Sequence, residues 1–117
     1  MLPEQDEVRI RHMLDAARSV SGFVRNRSRE HLERDEMLAF AVTRGLEVIG
    51  EAASQVSEST RQALPEIPWP LMVGMRHRLI HAYFDVDLDQ VWDTAVGDLP
   101  PLVVLLEKAL QSKGAAG

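Results

Sequence analysis

The apolar residues of this chain recur every three or four positions, and that spacing constrains its fold more than any other feature. Ile10, Met13, Leu14, Ala17, Val20 and Val24 trace one stripe along residues 3–26, "PEQDEVRIRHMLDAARSVSGFVRN". A helix turns once per 3.6 residues, so this stripe faces one way on a helix and scatters on a strand. Pro3 and the acids Glu4, Asp6 and Glu7 suit a first turn, where the helix dipole favours negative charge. Gly22 weakens the end of the helix without forbidding it.

A second helix is expected from about Glu36, in "EMLAFAVTRGLEVIGEAASQVS". Its apolar positions, from Met37, Leu38, Ala41 and Val42 through Leu46, Val48 and Ile49 to Val56, cover an arc wide enough for contacts on two sides. Gly45 and Gly50 lie inside it and predict close backbone approach to a neighbour. Between the two helices "NRSRE" is a polar break, with Ser28 placed to cap a short helix or turn. After them "SESTRQALPEIPWP" reads as a connector. Ser57 or Ser59 can cap a short helical turn ending at Pro65, and the prolines at 65, 68 and 70 hold the rest extended or turned.

A third helix is expected to start near Pro70 and to carry "MRHRLIHAYFDVD", residues 75–87. Asp87 then caps "LDQVWDTAVGD", and Asp98 caps a last helix with Pro100 and Pro101 in its first turn. Trp69 and Trp92 are expected in the core, and His12 and His31 on the surface. The expected fold is all-α: an antiparallel bundle of four main helices plus short turns, spanning residues 1–112, with 113–117 a flexible C-terminal tail.

Composition narrows the function classes. Cysteine is absent, which excludes disulfides and thiolate metal sites and fits the cytoplasm. "MLPEQDE" has no apolar core and is no signal peptide, and "LPPLVVLL" is too short to span a bilayer. A net charge of −5 argues against a protein that coats nucleic acid non-specifically. Basic residues nevertheless cluster at Arg25, Arg27, Arg29 and Arg34, and again at Arg76 and Arg78, so a local anion site is compatible with an acidic whole.

The densest chemistry lies in residues 76–83. Arg76, His77, Arg78, His81 and Tyr83 include two of the four histidines and the single tyrosine. On one straight helix, Arg76 and His81 would sit about 140° apart. Either the helix unwinds near Ala82 or a second copy of the chain supplies the missing group. Arginine offers planar, permanently charged donors for phosphate oxygens, and histidine exchanges protons near neutral pH. Together they are the parts needed to cut RNA without a metal. Imidazole removes the ribose 2′-proton, the oxygen attacks the adjacent phosphate, and arginine stabilises the added charge. The same cluster, near acids at 85, 87 and 89, also fits a solvated salt-bridging face. His77 and His81 have helical metal-ligand spacing, but no third ligand is evident. Glu47 and Glu51, one turn apart, fit a solvated face or, if turned toward the third helix, a support for Arg76.

These residues carry a resemblance. Arg76, four intervening residues, His81, one more, then Tyr83 is similar to the R-x4-H-x-Y signature of HEPN-domain proteins of the HepT type. "EVIGEAA", "PEIPW" and "VDLDQVWDTAVGDLPPL" resemble the family's flanks, in order, over nearly the whole chain. The resemblance implies an all-helical homodimer whose two motifs line a shared cleft. It implies a metal-independent endoribonuclease, needing no cofactor, that is the toxin of a bacterial type II/VII-like toxin–antitoxin pair. The antitoxin it implies is an MNT-type nucleotidyltransferase that in some systems transfers AMP to the motif tyrosine, here Tyr83. Arg76 and His81 match the catalytic positions; His77, Arg78 and Glu51 are candidates for support. His77 stands where the subfamily often has Asn, and Ala82 where Gly usually precedes the tyrosine. Two other readings stand beside this one: a non-catalytic helical dimer that binds nucleotide or the nucleotidyltransferase, and a plain interaction bundle.

Overall fold

A computed structural model describes residues 2–75, 80–82 and 85–116; for residues 80–82, 85 and 112–116 it describes the backbone alone. The first helix, α1 (Glu4–Val24), buries Ile10, Met13, Leu14, Ala17, Val20 and Val24, the stripe read from its spacing. It ends in a corner where Asn26 takes φ 59°, a left-handed conformation that asparagine tolerates better than most residues. Helix α2 (Arg29–Arg34) follows, with His31 Nδ1 accepting from the Ser28 amide in a capping box. Leu32 tethers this short helix to the core.

Helix α3 (Glu36–Ser54) begins at Asp35, whose carboxylate accepts from the Leu38 amide at 3.1 Å. Val42, Leu46 and Ile49 are fully buried along it. Gly45 meets α1 at close range: a Cβ there would lie 2.3 Å from Val20 Cγ2. The glycine sets how near the two helices come. Arg61, from α4 (Glu58–Ala63), closes the far end of α3 by donating to the carbonyls of Ala53, Ser54 and Val56. Ser57 caps α4, as one of the two serines expected to do so.

Asp6 ties these pieces together. Its buried carboxylate accepts from the Ser57 amide at 3.0 Å and from the hydroxyls of Ser57 and Thr60. Burial pushes this carboxyl up, but the three hydrogen bonds outweigh burial and hold it below its ordinary value.

The third expected helix is corrected from Ile80 onward; Met75 is helical, and residues 76–79 lie outside the described residues. Helix α5 spans only Trp69–Val73 and is closed by Gly74. The backbone is extended at β1 (Ile80–Ala82), which pairs antiparallel with β2 (Asp85–Val86), Ile80 opposite Val86 and Ala82 opposite Asp85. Residues 80–86, "IHAYFDV", are rich in aromatic and β-branched types that suit a ribbon better than a helix. The class is still all-α, with this small ribbon as an insertion.

Asp87 caps α6 (Leu88–Asp93), accepting from the Gln90 amide at 3.0 Å. Asp98 stands just before the last helix, as expected, and Pro100 and Pro101 fall in its first turn, but the chain does not break there. The chain continues through a π-turn, Thr94–Asp98, into α7 (Leu99–Ala116), and the Leu99 amide bonds to the Thr94 carbonyl. Pro100 and Pro101 lack amide hydrogens and crowd the preceding turn, so a widened turn accommodates them inside one continuous run. Leu99, Leu102 and Leu106 of α7 pack on α1, which stands between α7 and α3; α5 lies against α3. Trp69 is buried as expected, and Trp92 is half-buried against the core.

Candidate active site

The hairpin is held from both of its ends. On the incoming side, Trp69 is 6% exposed and its indole N–H donates to the Leu64 carbonyl at 3.0 Å. The Arg61 guanidinium stacks over the same ring, 5.9 Å from its centroid. Met72 and Met75 then sink fully into the core, fixing where the chain leaves α5. On the outgoing side Asp87 starts α6, and Val91 buries its inner face. Arg29 of α2 reaches across to this start: Nε donates to Asp89 at 2.6 Å and a terminal nitrogen to Glu33 at 3.1 Å. Its bond to Asp89 raises the already high pKa of Arg29, so the cation is permanent.

His81 lies on β1, on extended backbone. That removes the straight-helix premise for this residue, and with it the helical spacing that suggested a metal pair with His77. Arg76, His77, Arg78 and Tyr83 lie outside the described residues. Glu51 is exposed near the end of α3 and accepts from Gln55 Nε2 at 3.1 Å. Glu47, one turn earlier, is half-buried.

The ribbon opens onto a groove of about 980 Å³ whose walls include Met37, Phe40, Arg44 and Glu47 of α3 with Val86 and Leu88 from the foot of the hairpin. Met37 is 83% and Phe40 70% exposed. Sequence reasoning placed Met37 on the wide apolar arc of α3, with contacts expected on two sides, and passed over Phe40 and Arg44. The signal was present: positions 37, 40, 44 and 47 repeat in steps of three and four on the side of α3 opposite its buried residues. The groove offers an apolar floor, one guanidinium (Arg44) and two carboxylates (Glu36 and Glu47) beside the ribbon whose other strand bears His81.

Comparisons with known proteins agree with this architecture. The family model described as ribonuclease HepT-like matches residues 13–109. A Thermococcus cleftensis protein named "Probable ribonuclease HepT" is 40% identical over 94 residues, covering 80% of this chain and 86% of the relative. A Methanocaldococcus jannaschii protein with a provisional RNase name is 35% identical over 99 residues, covering 85% and 82%. A similarly named protein of Caldanaerobacter subterraneus is 32% identical over 104 residues, covering 89% and 93%. No solved structure matches the chain. With the R-x4-H-x-Y residues at 76, 81 and 83 inside the matched span, the chain belongs to the ribonuclease HepT-like family.

Proposed function

We propose that this protein is a metal-independent endoribonuclease, active as a homodimer whose two motifs share a cleft. The single observation that carries this reading is the set Arg76, His81 and Tyr83, at family spacing, in a chain that belongs to the family. An imidazole of His81 takes the ribose 2′-proton, and the 2′-oxygen attacks the adjacent phosphorus. The Arg76 guanidinium donates hydrogen bonds to the phosphoryl oxygens as charge builds on them. A protonated histidine returns a proton to the departing 5′-oxygen. The products are a 2′,3′-cyclic phosphate and a 5′-hydroxyl, and DNA is spared because it lacks the attacking group. His77, Arg78 and Glu51 support the site.

The biological role we propose is that of a toxin in a toxin–antitoxin pair, in the cytoplasm, with an MNT-type nucleotidyltransferase as antitoxin. Transfer of AMP to Tyr83 adds bulk and negative charge where RNA phosphate binds, which accounts physically for inhibition. Among the described residues no helix is long and apolar enough to cross a membrane.

The test is cleavage of a defined RNA by wild type and His81→Ala in the presence of a chelator, with end-group analysis of the products. The reading predicts cyclic phosphate ends from wild type and a loss of rate of about 10²–10⁴-fold in the variant. Equal rates would remove the catalytic assignment. Intact-mass analysis after co-expression with an adjacent nucleotidyltransferase tests the AMP acceptor, since Tyr83→Phe should abolish any added AMP.

A further inference from the structure

One face of α3 is unfinished. Its inner side is packed, yet Met37 and Phe40 stand out at 83% and 70% exposure, where the other exposed large apolar residues described reach at most 48%. Exposed apolar side chains grouped in one groove mark a surface that something covers. The stripe 37, 40, 44, 47 repeats in the three-then-four pattern by which one helix seats against another.

The charges flanking Phe40 say what the occupant is. Glu36 lies four residues before it and Arg44 four residues after it, both exposed. When two copies of a helix cross in opposite directions about a two-fold axis at residue 40, position 36 of one faces position 44 of the other. The same contact then occurs twice, as an isologous interface requires. Phe40 meets its own symmetry mate at the centre, Met37 packs beside it, and each Arg44 meets the partner's Glu36. Among the described residues Arg44 makes no ion pair within its own chain. We infer that this face of α3 is the docking surface for a second copy of the chain, with the helices antiparallel and centred on Phe40.

This surface is continuous with the candidate site. Of the residues that close the groove, Val86 lies on β2, paired with the strand that bears His81, and Leu88 opens the helix that follows. A copy seated on α3 therefore abuts the hairpin of its neighbour, and the cleft is incomplete without it. The inference names the contact face of the homodimer proposed above and rests on that reading only for its link to catalysis.

The experiment measures the mass of the intact protein in solution by light scattering or sedimentation, for wild type and for variants of this face. Wild type is expected to be a dimer and Phe40→Glu a monomer with unchanged helical circular dichroism. Arg44→Glu is expected to weaken association at least about tenfold, and Glu36→Arg combined with Arg44→Glu to restore it. The chain has no native cysteine, so Phe40→Cys gives an independent readout. Mild oxidation should cross-link two copies at the two-fold axis, where the α-carbons come within disulfide reach. A monomeric wild type, a dimer that survives Phe40→Glu, or a double charge swap that fails to recover association would overturn the proposal. A face that is covered only by a co-expressed nucleotidyltransferase would overturn it too. A dimer that cuts no RNA would instead sink the ribonuclease reading and leave this surface standing.

Discussion

The two sides of α3 were built from similar residues and ended differently. The inner side closes on α1 so tightly that Gly45 leaves no room for a methyl group before Val20. The outer side leaves Met37 and Phe40 in water beside a groove that runs to the foot of the hairpin. Apolar character alone therefore does not mark the core of this chain. The inner side completes the fold of one copy, and the outer side is the face proposed above to dock a second.

That contrast breaks if substitutions on the two sides have the same consequences. The largest expected effect on stability is on the inner side. Leu46→Ala and Ile49→Ala, at fully buried positions, should each cost about 2–5 kcal/mol by denaturant unfolding. Gly45→Ala should cost about 1–3 kcal/mol, because its Cβ collides with a buried valine. Adding Val20→Ala should make the glycine substitution much less costly than it is alone, since the collision then disappears.

The Asp6 latch sharpens the same point at the end of the bundle. Asp6→Asn should cost about 1–3 kcal/mol at pH 7 by leaving its donors poorly matched. Because the folded carboxyl titrates below its unfolded value, its contribution is complete above about pH 4 and is lost as the pH falls through the folded value. The stability gap between wild type and Asp6→Asn should therefore narrow on acidification below pH 4. The smallest effect on unfolding is expected on the outer side. Phe40→Ser should change the stability of the isolated chain by no more than about 0.5 kcal/mol, measured at concentrations too low for association. A large loss there would mean that Phe40 belongs to the core and would erase the distinction.

Much of this was legible in the residues. The stripes of α1 and α3 and the Ser57 and Asp87 caps follow from side-chain spacing and amide-capping chemistry, and the structure places them as read. The ribbon was missed although the aromatic and β-branched residues of 80–86 favour a strand, because by periodicity alone so short an apolar run reads as the continuation of a helix. The π-turn was not legible: Pro100 and Pro101 mark the start of the last helix, as read, but do not show that the turn before it runs into it without a break. For the candidate site the sequence offers a motif and no geometry. Arg76, His77, Arg78 and Tyr83 fall outside the described residues, and the groove at the ribbon is built on Phe40 and Arg44, which the proposed docking surface assigns to contact with another copy. Periodicity within one chain reports which face is apolar, not which molecule covers it.

The central claim is that Arg76 and His81 act together in a cleft made by two copies. Its most direct test is complementation between the two inactive variants. Arg76→Ala and His81→Ala are co-expressed with different tags, and the heterodimer carrying both tags is assayed for RNA cleavage. In that heterodimer one intact arginine and one intact histidine remain, contributed by different copies. The account predicts that each variant alone is inactive and that the heterodimer regains cleavage. A stable heterodimer as inactive as its parents would contradict it.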